Sequence, residues 1–227
     1  MIKAVLFDND GVLINSMPYH YKAWKTVFEE YNIFIESEDV LLTEGCKSIE
    51  LVQKIFADKE INLSDEELTR FVKRKNQLYQ SITEATLRPE TESFLRQLKG
   101  DHLLIGLVTG TSRGNVDKVI HQAALALFDC VITGDDVSKG KPDPEAYLKA
   151  ANELNVVSSE CLVIENAPLG IEAAKRADMR VVALTTTLDR EVLSGADYYA
   201  KDMQDLEFIW NKDKLPIYKK QNTNKLQ

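Results

Sequence analysis

Five short runs rich in Val, Ile and Leu constrain this chain more than any other feature: AVLFD (4–8), LLIGLVT (103–109), CVIT (130–133), CLVIE (161–165) and RVVAL (180–184). None of them alternates apolar with polar residues. Successive side chains of a strand point to opposite sides, so uninterrupted apolar runs suit the strands of a parallel sheet that is covered on both faces. From residue 103 onward the runs are separated by helical patterns, NVDKVIHQAALALF, DPEAYLKAANEL and PLGIEAAKRADM. Strand and helix in alternation predict an α/β fold built on a doubly wound, Rossmann-like parallel sheet.

Between the first run and the second the texture changes. Residues 17–31 (MPYHYKAWKTVFEEY), 47–59 and 65–85 read as amphipathic helices, the last opened by Ser64 with Glu67 three positions on, a capping box. This stretch is too long for a simple crossover or a structureless loop, so it predicts a helical insert. The expected organisation is a core domain from residues 1–15 and 86–211, a helical cap domain at 16–85, and a polar tail at 212–227. Trp24, Phe28 and Tyr31 recur at helical spacing and are expected in the core of the cap, whereas His102 and His121 show no partner pattern and are expected at the surface. Hinges are expected near 14–17 and 84–89.

At 227 residues, 44% of them hydrophobic and 28% charged, the chain has ordinary globular composition and can bury a substantial core. Its formal net charge of −8 is uneven: residues 212–227 hold five lysines against one aspartate, which leaves −12 on the first 211 residues. An acidic body argues against nucleic-acid binding. The apolar run from Ala4 to Phe7 is too short for a signal peptide or a membrane span, and the three cysteines, Cys46, Cys130 and Cys161, lack metal-ligand spacing. These features predict a soluble cytoplasmic protein with free, buried thiols, a monomer or weak dimer that touches neither nucleic acid nor membrane.

In open α/β sheets ligands bind beyond the carboxyl ends of the strands, and those ends carry the chemistry here. The first run ends in Asp8-Asn9-Asp10-Gly11, the second in Thr109-Gly110-Thr111-Ser112 and the fourth in Glu165-Asn166; after the third comes Lys139-Gly140-Lys141-Pro142-Asp143-Pro144. Asp8 and Asp10 share a face, so their charges repel unless something positive lies between them. Two carboxylates, a hydroxyl flanked by backbone N–H groups, a lysine, and a further acid with an amide suit a phosphoryl group beside a hard divalent cation such as Mg²⁺. Thr109 and the Gly110 and Thr111 amides can donate to phosphoryl oxygens while Lys141 supplies charge. Asp8 is the candidate nucleophile, through an aspartyl-phosphate, and Asp10 the candidate acid and base. Each residue also has a purely structural reading: turn former for the two acids, local hydrogen-bonder for Thr109, surface charge for Lys141, N-cap for Asn166.

FDNDGVLINS, VTGTSRG, KGKPDPEAY and VIENAPLGIEAAKRADM together resemble the four ordered motifs of the haloacid dehalogenase superfamily, in the branch of β-phosphoglucomutase and many small-metabolite phosphatases. The resemblance spans both core segments, and the insert is similar to that branch's helical cap. It implies Asp8 as nucleophile, Asp10 as acid and base, Thr109 and Lys141 on the phosphate, and Mg²⁺ near Asp8, the Asp10 carbonyl, Glu165 and Asn166. In the cap, MPYHYKAW and VKRKN resemble segments that carry substrate contacts, which would be His20 and Lys75 here, with Trp24 in the same stretch.

Two departures bear on the reaction. The fourth motif commonly ends in two acids, whereas Asn166 follows Glu165, so Asn166→Asp is expected to tighten Mg²⁺ binding. In the cap segment GCKSIE, Ser48 stands where a mutase has an arginine for a second phosphate, and Lys47 beside it is a point charge without arginine's planar fork. The balance favours a Mg²⁺-dependent phosphatase acting on a small phosphorylated metabolite, with a sugar phosphate preferred. The alternatives are a β-phosphoglucomutase-type mutase, a dehalogenase, which would need neither Asp10 nor metal, and a catalytically weak phosphate-binding protein.

Overall fold

In the computed structural model residues 1–212 are described, so the tail expected at 212–227 lies, from residue 213 on, outside the described residues. Strands β1 (Ala4–Phe7), β2 (Leu104–Val108), β3 (Cys130–Ile132), β4 (Cys161–Glu165), β5 (Arg180–Leu184) and β6 (Tyr198–Ala200) form one sheet in the order β3-β2-β1-β4-β5-β6. All five pairings are parallel. The chain winds outward from β1 to β3 and then returns to start β4 on the other side. The order therefore reverses between β1 and β4, where a doubly wound sheet opens a crevice.

Burial on both faces explains the unbroken apolar runs. Val5, Phe7, Ile105, Leu107 and Ile164 pack on one side against Phe94, Leu95 and Leu98 of α5 (Pro89–Gly100) and Leu206 and Trp210 of α10 (Met203–Asn211). Leu6, Val108 and Val163 pack on the other against Ala146, Tyr147 and Ala150 of α8 (Glu145–Glu153) and Ile171 and Ala174 of α9 (Pro168–Arg176). Burying each such Val, Leu or Phe contributes about 1.5–3 kcal/mol, and emptying one position, as in Phe7→Ala, costs about 3–5 kcal/mol.

The insert consists of α1 (Met17–Glu29), α2 (Ser37–Leu41), α3 (Ser48–Ala57) and α4 (Asp65–Ile82), which close around their own cluster of Trp24, Val27, Phe28, Phe56, Leu68 and Phe71. Phe71 is its centre, with ring centroids 4.8 Å from Phe28 and 5.3 Å from Phe56. The capping box at Ser64 and Glu67 is formed: the Glu67 N–H donates to Ser64 Oγ, and the Ser64 N–H to Glu67 Oε2. Tyr31 also touches Phe56 and Phe71, but it lies beyond α1 and is 41% exposed.

One expected helix is broken. Residues 115–128 do not run through; α6 (Arg113–Val119) ends at an extended Ile120, and His121 Nδ1 accepts from the Ala124 N–H to start the short α7 (Gln122–Leu125). An imidazole acting as a cap overrides the helical periodicity. Its ring is exposed, as expected, with Nε2 3.2 Å from Glu92. Cys130 and Cys161 are buried and Cys46 half-buried, all three free, and burial pushes their thiols upward. Among the described residues no helix is long and apolar enough to cross a membrane.

Candidate active site

The register sets Phe7 beside Leu107 on one neighbour and Ile164 on the other, so Asp8, Thr109 and Glu165 emerge at the same sheet edge. Gly11 follows with φ +81°, a left-handed turn where a β-carbon would lie 2.2 Å from the Asn166 amide nitrogen. Glycine is required there by both the turn and the approach of Asn166.

Asp8 is buried, and Lys141 Nζ donates to its Oδ1 at 2.6 Å, to Glu165 Oε1 at 2.7 Å and to the Val108 carbonyl at 3.1 Å. Those three bonds use all three N–H donors of the ammonium. Lys141 therefore stands behind Asp8 and holds it, and does not reach into the cavity. Tyr147 OH donates to Glu165 Oε1 at 2.8 Å, and the Asn166 and Ala167 N–H groups donate to Glu165 Oε2. Burial pushes the Asp8 carboxyl up to about 8; Lys141 offsets part of this, while Glu165 and Asp10 add repulsion. The Lys141 ammonium stays charged, because Asp8 and Glu165 outweigh its burial.

Asp10 has a different set of partners. Ser16 Oγ donates to its Oδ1, and His20 Nε2 lies 3.1 Å from the same atom. His20 Nδ1 lies 2.8 Å from Lys75 Nζ, and the imidazole stacks on Tyr79 with centroids 4.0 Å apart. An ammonium can only donate, so Nδ1 accepts from Lys75, and Nε2–H is left to donate to Asp10. Burial opposes the Asp10 carboxylate, but His20 and Ser16 donating to it hold it down at about 2. Burial lowers Lys75 to about 7, with Asp10 offsetting part of that shift, and burial and the neighbouring ammonium lower His20. The three side chains form a continuous row, Lys75–His20–Asp10.

The cap closes over this edge. Lys47 Nζ donates to the Val137 carbonyl at 2.7 Å, the Gly140 N–H donates to Glu50 Oε1 at 3.0 Å, and Asn76 and Gln80 on α4 hydrogen-bond Asn115 on α6. What remains is a cavity of about 60 Å³ lined by Asp8, Asp10, His20, Lys75, Thr109, Gly110 and Thr111 among others. Of the expected site residues these seven share one cavity, while Lys141, Glu165 and Asn166 lie buried around Asp8. Ser48 and Trp24 also line the cavity, the latter with Lys75 Nζ 4.6 Å from its ring. Lys47 is bound to Val137 and does not stand in for the missing arginine.

Sequence reasoning missed Glu44. It sits in the cap loop between α2 and α3, is 8% exposed, and accepts from Asn166 Nδ2 on both carboxylate oxygens at 3.1 Å. Burial, and after it the charge of Asp8, hold this carboxyl well above its usual range. Four carboxyl groups, Asp8, Asp10, Glu44 and Glu165, thus crowd together at this edge. Among the described residues no three His, Cys, Asp or Glu side chains are arranged to hold a metal by themselves. Asn166 Oδ1, however, is buried without a hydrogen-bond partner. An orphaned amide oxygen beside crowded acids fits a hard cation that prefers oxygen ligands.

The profile of the haloacid dehalogenase-like hydrolase family matches residues 2–178. The chain is 36% identical over 209 residues to validoxylamine A 7'-phosphate phosphatase of Streptomyces hygroscopicus subsp. limoneus, covering 92% of this chain and 97% of that protein. It is 32% identical over 212 residues to β-phosphoglucomutase of Bacillus subtilis (strain 168), covering 90% and 92%. The crystal structure of β-phosphoglucomutase from Clostridium difficile superposes with a TM-score of 0.82 at 30% identity, covering 94% of this chain and 97% of that one. With its parallel sheet, its helical cap and these matches, the chain belongs to the haloacid dehalogenase-like hydrolases, in the β-phosphoglucomutase-like branch.

Proposed function

We propose that the protein is a Mg²⁺-dependent phosphatase that hydrolyses a small phosphorylated metabolite, with a sugar phosphate preferred, through an aspartyl-phosphate on Asp8. The observation that carries this reading is the placement of Asp8 and Asp10 on one cavity with Thr109, Gly110 and Thr111, while Lys141 fixes Asp8 from behind. Two relatives, a phosphatase of a 7'-phosphate and a phosphoglucomutase, support a phosphorylated small molecule. The cap leaves too little room for such a molecule to enter, so entry and release need the cap to swing away and return.

In the first half of the reaction a carboxylate oxygen of Asp8 attacks phosphorus, in line with the leaving alkoxide. Thr109 and the Gly110 amide hold the non-bridging oxygens, and the Thr111 N–H, which donates to Thr109 Oγ1 at 3.2 Å in this structure, turns from that oxygen to join them. The leaving oxygen needs a proton, and Asp10, held ionised, must first acquire one. The row supplies it: Lys75 gives a proton to His20 Nδ1 as His20 Nε2 passes its own to Asp10, which hands it to the leaving group. In the second half Asp10 takes a proton from the attacking water, and the row returns it to Lys75 as phosphate leaves Asp8. Asp8, the Asp10 carbonyl and Asn166 would hold the cation, with Glu165 as the charge behind them. When bound, Mg²⁺ neutralises the crowded acids and draws charge from the phosphoryl oxygens.

A mutase must also grip a second phosphate. Ser48 stands at the arginine position, Lys47 is bound elsewhere, and Glu44 on the same wall supplies no positive charge, all of which favours hydrolysis. The test is a panel of sugar phosphates and other small phosphate esters with Mg²⁺, with Asp8→Asn as the blank. Free phosphate from wild type alone supports the reading. Conversion of a sugar 1-phosphate to its 6-phosphate without free phosphate would replace it with the mutase, and no turnover of any ester would sink both.

A further inference from the structure

Asn115 stands in the first turn of α6, 1% exposed, at the seam between core and cap. Its amide is held from three sides. On the cap, Asn76 and Gln80 lie one turn apart on the same face of α4; Gln80 Nε2 donates to Asn115 Oδ1 at 2.9 Å, and Asn115 Nδ2 donates to Asn76 Oδ1 at 3.1 Å. On the core, the same Nδ2 donates to Thr111 Oγ1 at 3.2 Å. Exchanging the two ends of all three amides leaves every one of these pairings in place, with the Thr111 hydroxyl donating instead of accepting. The cap thus supplies two of the three partners that fix this side chain. The third, Thr111, is a wall of the reaction cavity.

We infer that Asn115 is a positioning residue that ties the phosphate-binding loop to the closed cap: with α4 docked it holds the Thr111 side chain in place for the phosphoryl group, and with α4 withdrawn that hold is lost. This rests on the phosphatase reading, in which Thr109, Gly110 and Thr111 receive the phosphoryl oxygens. The core alone fixes only part of Thr111. Its carbonyl accepts from the Gly134 N–H at 2.8 Å wherever the cap stands, and its own N–H, 3.2 Å from Thr109 Oγ1, is the group that turns to substrate. The side chain is the remaining handle, and Asn115 is its only hydrogen-bond partner among the described residues. Once Asn76 and Gln80 leave, water reaches the amide and competes for it, so a bond enforced in the dry seam becomes one of several exposed alternatives. Lys75, whose Nζ meets His20, is the neighbour of Asn76, so α4 completes both halves of the site: the proton row through Lys75, and the phosphate loop through Asn76 and Gln80. The coupling is reciprocal, so phosphate favours closure by the same factor by which closure favours phosphate.

The test is calorimetric titration of inorganic phosphate, in excess MgCl₂, into wild type, Gln80→Ala, Thr111→Val and the double Gln80→Ala/Thr111→Val, and into the same four carrying Asn115→Ala, with thermal melts to establish folding. Among the described residues no hydrogen bond joins Gln80 to Thr111, so coupling between them needs an intermediary. Each single variant, Asn115→Ala included, should weaken phosphate binding about 3–10-fold. The loss in Gln80→Ala/Thr111→Val should fall short of the product of the two single losses by at least about threefold, and with Asn115→Ala present that shortfall should vanish. An asparagine that only supported the fold would lower the melting temperature without linking the two. Should Asn115→Ala fail to fold, the four proteins with Asn115 intact carry the comparison, repeated with Asn76→Ala in place of Gln80→Ala. Independent losses in those four, wild-type phosphate affinity in Gln80→Ala, or coupling that survives Asn115→Ala would overturn the inference. No phosphate binding by wild type would sink it together with the phosphatase reading. Phosphate release by wild type and not by Asp8→Asn, beside independent losses in the cycle, would remove the inference and leave that reading standing.

Discussion

Lys141 Nζ lies 2.6 Å from Asp8 Oδ1, and both side chains are almost wholly buried. The same ammonium also bonds Glu165 at 2.7 Å, so one cation holds two acids at the centre of the fold. A buried charge stripped of its partner is strongly destabilising, by about 3–5 kcal/mol. Lys141→Met should therefore lower stability by about that amount in urea denaturation at neutral pH, as well as abolish turnover. A variant that lost activity at undiminished stability would mean that Lys141 serves the substrate and does not hold Asp8.

Lys75 makes stability depend on pH in a direction that can be worked out. Its value in the fold, about 7, lies below the ordinary 10.5 because of burial, with Asp10 and Cys46 opposing the shift and the rings of Trp24 and Tyr79 beside it. Between those two values the unfolded chain binds the extra proton, so stability rises with pH across that window. Lys75→Met lacks this term. It should exceed wild type in stability below pH 7, and the gap should close as pH rises toward 10.5, at no more than about 1.4 kcal/mol per unit. Urea melts of both proteins at several pH values check this, and a gap that widened with pH would contradict it.

Gly110 is one of the points where the core closely approaches the cap. A β-carbon there would lie 2.4 Å from the Gly45 carbonyl oxygen and 2.8 Å from that of Cys46, both on the cap loop beside Glu44. Gly110→Ala should leave the sheet intact, with stability within about 1 kcal/mol of wild type, because the clash is relieved by moving the cap outward. The displaced cap should cut kcat/KM by about 10²-fold on p-nitrophenyl phosphate. Wild-type turnover in this variant would show that the working enzyme does not close as seen here.

The strands were readable from the chain because burial on both faces produces unbroken runs such as CLVIE, and the strand-end residues were readable because each motif is local. β6 escaped notice: Tyr198–Ala200 spans three residues at the sheet's edge, with two of them half-buried, too little to mark a run. Glu44 escaped for another reason. Its loop has no chemical signature, and it becomes part of the site only through docking of the cap onto Asn166, a contact that depends on tertiary packing. Lys141 was readable as a charge near the site, but that all three of its N–H groups are bound to Asp8, Glu165 and Val108 emerges only from the packed strand ends. His121 broke a periodic pattern by capping α7, a side-chain choice that apolar spacing does not record.

The most direct measurement is acid-quenched mass spectrometry of the enzyme mixed with Mg²⁺ and p-nitrophenyl phosphate, set beside phosphate release by wild type and Asp8→Asn. Wild type should carry one phosphoryl group on the peptide containing Asp8 and the variant none, with phosphate release in Asp8→Asn lower by at least about 10³-fold. Phosphate release at the wild-type rate from Asp8→Asn, or a phosphoryl group on any other residue, would contradict nucleophilic attack by Asp8.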